Sequence, residues 1–336
     1  MFINKSILTT LILSVFITAG CVKEDLSETG GNVYENFDLL WNTINDNYCY
    51  LEYKNLNWDS IGNEYSSQLH EGMTDKDFFT VCSNMLNELK DGHVWIYSDF
   101  NTSSYGDWYL DYPQNFNSTI VEREYLGTDA IWVTGLKSQK IRNVGYLRCP
   151  SFMNLFSFSE IDEAVSQLGD IEGLIIDIRN NTGGSLIHAQ LLASAFCKVK
   201  TKYGYLRFKE GKGDNYSDWF PQYLEPKSKT VFDGKIVVLT NRMCYSAANE
   251  FTNAIRSLDN VTIIGDKTGG GGGMPISSEL YNGWQIGYST NPMFDIEKNH
   301  TESGIEPDIY LNMDRDDEYN DIDNIIEYSI DYLKSD

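Results

Sequence analysis

Three nearly wholly apolar runs in the second half of the chain limit what it can fold into. They are residues 173–178 (Gly-Leu-Ile-Ile-Asp-Ile), 235–240 (Lys-Ile-Val-Val-Leu-Thr) and 261–265 (Val-Thr-Ile-Ile-Gly). Runs of this length read as strands buried on both faces. A further strand is expected at 145–148, and helical patterns lie between the strands at 158–168, 186–196 and 246–257. Strands alternating with helices at this spacing predict an α/β fold with a largely parallel, covered sheet. Before it, Phe37, Leu40, Trp41 and Ile44 recur at helical spacing, and a second helix opens at Asp75 after Thr74. That helix is expected to stop at Lys90-Asp91-Gly92-His93 with Gly92 left-handed, leading to a strand at 94–97. Ser118-Thr119-Ile120-Val121 and Ala130-Ile131-Trp132-Val133 look strand-like. Residues 98–142 are otherwise rich in Asn, Ser, Gly and Asp, and too short for a full PDZ module.

The expected organisation is a leader over 1–20, a tether over 21–32 and an N-terminal helical domain over 33–97. A short β-rich connecting segment over 98–142 and a core over 143–336 follow. The leader has a Lys5 start, an apolar run from Ile7 to Ile17 and small residues before Cys21. That is the build of an export signal and not of a membrane span. Thr18-Ala19-Gly20-Cys21 resembles a bacterial lipobox, which implies lipidation at Cys21 and anchoring in the cell envelope. The outer membrane, on its periplasmic or surface face, is the expected site. A net charge of −23, spread along the chain, repels phosphate backbones and excludes nucleic acid as an expected partner. The six cysteines form no CxxC pair, and the four histidines no HExxH. No metal and no cofactor is therefore expected.

Four segments carry chemistry. Arg179-Asn180-Asn181-Thr182-Gly183-Gly184 runs from a strand into a glycine turn, whose backbone N–H groups can face a developing negative charge. Cys244-Tyr245-Ser246-Ala247 puts a serine where a loop becomes a helix, a position equally suited to a helix cap. Ala247 can lend a second N–H. Gly265-Asp266-Lys267-Thr268 precedes five glycines, Gly269 to Gly273, which suit either a flexible loop or close approach of another chain. Ser303-Gly304-Ile305-Glu306-Pro307-Asp308 is a turn leading to an edge strand.

In this order the four segments resemble the tail-specific, or C-terminal-processing, serine protease family. The resemblance implies a crotonase/ClpP-like α/β core and peptide cleavage through an acyl-enzyme. It makes Ser246 the nucleophile and Gly183, Gly184 and Ala247 the oxyanion donors. The position of the lysine base in Ser–Lys members falls here on Gly271, with Lys267 outside the base register. Asp91-Gly92-His93 is similar to the histidine motif of the tricorn-like branch, which makes His93 the general base. The acid expected to orient it is Glu302, with Glu306 and Asp91 as alternatives. Peptides or unfolded proteins are the implied substrates. The competing reading is an inactive peptide- or ligand-binding lipoprotein on the same scaffold, and Ser–Lys catalysis through Lys267 ranks last.

Overall fold

The computed structural model describes residues 30–227 and 232–335. The leader and Cys21 lie outside them. Three helices come first: α1 (Val33–Asn47), α2 (Trp58–Ser66) and α3 (Asp75–Asn87). A capping box between Asn32 and Glu35 starts α1, and Thr74 accepts the Asp77 N–H to start α3. Strands β1 (Trp95–Tyr97) and β2 (Thr102–Ser104) follow, then short helices α4 (Asp107–Leu110) and α5 (Ser118–Ile120). Next come β3 (Ile131–Val133), β4 (Leu136–Ile141), β5 (Val144–Arg148), α6 (Phe158–Ser166), β6 (Gly173–Asp177) and α7 (Leu186–Ser194). The chain continues through β7 (Thr201–Leu206), β8 (Phe220–Leu224), β9 (Lys235–Thr240), α8 (Ala247–Ile255) and β10 (Val261–Gly265). It ends with β11 (Gly273–Glu279), β12 (Gln285–Phe294), β13 (Ile309–Tyr310), α9 (Arg315–Tyr319) and α10 (Asn324–Lys334).

One sheet runs β13-β10-β9-β6-β5-β4-β3. Its first five strands are mutually parallel, and β4 and β3 add antiparallel edges. Alternate residues divide between two cores. Leu174, Ile176, Ile236 and Val238 pack with residues of α6, α7 and α8. Ile175, Val237 and Leu239 pack with Ile325, Ile326 and Ile330 of α10. Both faces are therefore covered, as the apolar runs require. The second sheet is antiparallel, β2-β1-β12-β7-β8 with β11 on β12, and its Ile96, Ile286 and Tyr288 form a third core with α1 and α3. Among the described residues no helix is long and apolar enough to cross a membrane.

Two local expectations are corrected. Residues 118–121 are helical, because Asn117 accepts the N–H groups of Thr119 and Ile120. A π-helical turn (Val121–Leu126) then buries Val121, Tyr125 and Leu126 against the α10 side of the sheet. The left-handed residue after α3 is Lys90 (φ 46°), not Gly92. The Lys54 ammonium takes the carbonyls of Leu89 and Lys90 and ends the helix there. Gly92 is small for another reason: a Cβ would sit 2.6 Å from the Trp108 indole nitrogen and 3.0 Å from the Tyr245 hydroxyl.

At the C-terminal end of β6 a buried ion cluster sets the turn that follows. Arg179 is 0 % exposed and pairs with Asp177 at 2.7 Å and Asp323 at 2.9 Å. Tyr146 donates to Asp177 as well, and Asp323 also caps α10. Removing the cation strands the buried Asp323 and leaves Asp177 only Arg148 at 3.8 Å as a cation, so Arg179→Met should lower unfolding free energy by about 3–5 kcal/mol. A urea titration should show the midpoint falling; an unchanged midpoint would contradict this role.

Candidate active site

The four motif segments meet through the backbone. Tyr245 N–H donates to the Asn181 carbonyl, Ser246 N–H to Gly270, Gly269 N–H to Cys244, Gly271 N–H to Glu302 and Thr268 N–H to Ile305. Thr268 Oγ1 also donates to Asn249 and accepts from the Ile305 N–H. The glycine run is thus a close-approach segment, paired with Tyr245 through Gly270 and passing directly into β11.

Ser246 sits between β9 and α8 with φ 56° and ψ −119°. A non-glycine residue held there stores roughly 1–3 kcal/mol of strain. It occupies the helix N-cap position, yet its side chain makes no capping hydrogen bond. The cap reading therefore leaves the hydroxyl unexplained, whereas a sharp strand-to-helix turn presents a serine outward. A Cβ on Gly183 would lie 2.9 Å from Ser246 Cβ and 3.0 Å from Ala247 N, so only glycine allows this approach. Gly183 spends its own N–H on Asn181 Oδ1 at 2.9 Å. The N–H groups of Gly184 and Ala247 have no protein acceptor among the described residues, which leaves those two as the available anion donors.

At Gly271 (φ 76°) a Cβ would stand 2.5 Å from Tyr245 Cζ. The room a lysine would need is filled by the Tyr245 ring, which stacks on Trp108 at 4.1 Å. Lys267 is engaged with Glu306 at 2.8 Å. His93 lies on the loop after α3, its ring 4.9 Å from that of Tyr245, the residue before Ser246. Burial holds its imidazole below the usual 6.5, offset in part by Asp91 and reinforced by Lys54, so the ring is neutral at pH 7 and able to accept a proton. No hydrogen bond joins Ser246 to His93 in this resting geometry, and His93 Nδ1 is buried without a hydrogen-bond partner among the described residues. The other histidines lie elsewhere. His188 faces the Phe152 carbonyl, His300 packs among Tyr50, Tyr53 and Phe294, and His70 is exposed near Glu71.

Glu302 is buried beside the site but bound to other groups: Lys54 at 2.8 Å on one oxygen and Gly272 N–H at 3.0 Å on the other. It makes no hydrogen bond to His93. Burial and then the Asp91 charge push its carboxyl up, against the pull of Lys54. Asp91 is the acid at the histidine loop. Its Oδ1 accepts the His93 backbone N–H at 2.8 Å and the Tyr245 hydroxyl at 3.2 Å. Its Oδ2 accepts from Tyr48 at 3.0 Å and Ser289 at 3.1 Å. Burial opposes ionisation of Asp91, but Lys54, His93 and the Tyr48 hydroxyl hold it below the ordinary carboxylate range. The sequence reading assigned no part to Tyr48, Lys54, Tyr245 or Ser289. For Tyr245 a signal existed, a large ring before the nucleophile paired with glycine at the lysine position. The other three have none in sequence.

A parallel α/β core carrying an outward serine at a strand–helix turn, with two unspent N–H groups beside it, defines the crotonase/ClpP-like class of serine-hydrolase scaffolds. The chain belongs to peptidase family S41, whose model matches residues 143–311. A tricorn protease C1 domain model matches 32–87. A crystal structure of a candidate peptidase from Parabacteroides merdae shares 37 % identity and a TM-score of 0.87, covering 91 % of this chain and 98 % of that one. A protein of Staphylococcus epidermidis assigned as a CtpA-like serine protease is 27 % identical over 54 % of this chain and 36 % of its own length. The carboxyl-terminal-processing protease of Synechocystis is 27 % identical over 58 % and 44 %. The chain thus spans about two fifths of the length of these two curated relatives.

Gly271→Lys should overpack the Tyr245 ring and cost about 1–3 kcal/mol. With Tyr245→Ala in the same chain, the combined loss should be smaller than the sum of the two single losses. Strictly additive losses in denaturant melts would contradict the exchange of lysine for ring.

Proposed function

We propose that the protein is a serine peptidase that hydrolyses peptide bonds through an acyl-enzyme, with Ser246 as nucleophile and His93 as general base. The observation that carries it is Ser246: strained, uncapped, and beside the unspent N–H groups of Gly184 and Ala247. Ser246 Oγ attacks the scissile carbonyl carbon as His93 takes the hydroxyl proton. The carbonyl oxygen becomes an oxyanion and accepts from Gly184 and Ala247. His93 returns the proton to the departing amine nitrogen as the C–N bond breaks. Water then attacks the acyl carbon, gives its proton to His93 and releases the carboxylic acid, and Ser246 regains its proton. The missing Ser246–His93 bond is compatible with this, since such contacts often close only when substrate binds. Substrate peptides lie extended beside the glycine run, adding main-chain hydrogen bonds. The S41 relationship supports peptides or proteins as the substrate class.

A second reading, a peptide- or ligand-binding protein without turnover, is favoured by one observation, the unpartnered Nδ1 of His93. A fluorophosphonate probe separates the two. Wild type should label, and both Ser246→Ala and His93→Ala should abolish or sharply reduce labelling. Lys267→Ala should retain it. An unlabelled wild type would overturn the peptidase reading, and loss with Lys267→Ala alone would overturn the histidine assignment.

The pH dependence follows from the same imidazole. His93 serves as base only when neutral, and its folded pKa lies below 6.5. The labelling rate should therefore be flat from neutral pH upward through this group and fall only on the acid side of 6.5. A limb centred well above 7 would contradict a buried histidine base.

The leader motif supports a bacterial envelope location, with Cys21 lipidated and the anchor in the outer membrane on its periplasmic or surface face. Cys21→Ser should move the protein from the membrane to the soluble fraction. Retention in the membrane would remove that reading.

A further inference from the structure

A cavity of about 170 Å³ opens beside α7 and α8. Its apolar walls include Leu186, Ile187, Leu206, Met274 and Met293, and its polar side chains are Glu250, Tyr203, Gln190 and Gln222. Three of the four motif segments continue into it. Leu186 comes two residues after Gly184, Met274 directly follows the glycine run, and Glu250 lies four residues beyond Ser246. On α8, where the Glu250 N–H donates to the Ser246 carbonyl, that spacing is one helical turn, about 6 Å along the axis and on nearly the same face. A side chain on the residue acylating Ser246 must find a pocket at that distance, and this cavity is so connected. A void of about 150 Å³ holds a benzene-sized group, so this one takes a single side chain.

Glu250 is the unusual wall. It is 7 % exposed and forms no salt bridge among the described residues; its polar partners are Tyr203 and Asn253. Burial pushes its carboxyl up to about 8, with Tyr203 and Asn253 pulling it down. A carboxyl in apolar surroundings without a cation is costly to ionise. We propose that this pocket receives the side chain of the residue that supplies the scissile carbonyl, and that Glu250 makes it select lysine or arginine there. The aliphatic stem lies along Leu206, Met274 and Met293, as such stems do on apolar surface, and the cationic head meets Glu250. An acid in this kind of pocket is a known way of selecting a basic residue. The inference rests on the peptidase reading above, and the experiment separates their failures.

Fluorogenic peptides identical except for Lys, Arg, Leu or Phe before the reporter amide are compared on wild type and Glu250→Gln. Wild type should favour Lys and Arg over Leu by more than about tenfold in kcat/KM, and Glu250→Gln should collapse that ratio. Because the variant can misfold, wild-type labelling by the fluorophosphonate is also competed with peptide aldehydes. One ending in argininal should protect Ser246 at lower concentration than one ending in leucinal. Equal or better cleavage after Leu or Phe, with leucinal the stronger protector, would overturn the pocket assignment while leaving the peptidase reading intact. No cleavage together with no labelling would overturn both.

Discussion

The Asp91 carboxylate is the interaction on which the site depends. Four donors converge on it, from the end of α1 (Tyr48), its own loop (His93 N–H), the turn before α8 (Tyr245) and β12 (Ser289). One oxygen, Oδ1, serves both the histidine loop and the residue preceding Ser246, so the proposed base and nucleophile are referenced to a single atom. Hydrogen bonds to a charged acceptor contribute about 1.5–3 kcal/mol each, which offsets the cost of burying the charge. Lys54 supplies the compensating cation while also ending α3 and holding Glu302. The N-terminal helices are therefore coupled electrically to the parallel core, and not only packed against it.

The second constraint is an exchange of volume. With glycine at 271, the Tyr245 ring can lie where a lysine side chain would project. Its hydroxyl then reaches Asp91, and Trp108 covers its face. The ring that fills the space at Gly271 is thus also the ring against which His93, the proposed base, packs. The Arg179 cluster does comparable work at the glycine turn, fixing the end of β6 so that Asn181 can bind both the Gly183 N–H and the Cys149 carbonyl.

Much of this was legible in the chain. The parallel core is written in the runs at 173–178, 235–240 and 261–265, because strands covered on both faces need nearly continuous apolar sequence. Of the second sheet only β1, expected at 94–97, was legible. β12 buries Ser289 and Thr290 and includes Gly287 and Pro292, so neither alternation nor an apolar run marks it. The π-helical turn was masked by β-branched residues whose fate was decided by Asn117. At the site, motif order indicated Ser246, His93 and the glycine turn. The acid partner was harder. Glu302 is nearby but its two oxygens are taken by Lys54 and Gly272, a choice set by contacts between residues far apart in sequence. Asp91, named only as an alternative, holds the histidine through its backbone and leaves Nδ1 unpaired.

The account's central claim is geometric and one measurement reaches it most directly: a crystal structure of the protein after reaction with a peptidyl phosphonate. The account predicts phosphorus bonded to Ser246 Oγ and a phosphoryl oxygen within about 2.7–3.1 Å of the Gly184 and Ala247 nitrogens. It also predicts a His93 ring nitrogen turned to hydrogen-bond the adduct, with the Asp91 contacts to Tyr245 and the His93 backbone intact. An adduct on another residue, or one on Ser246 whose phosphoryl oxygen points away from both nitrogens with His93 out of reach, would contradict it.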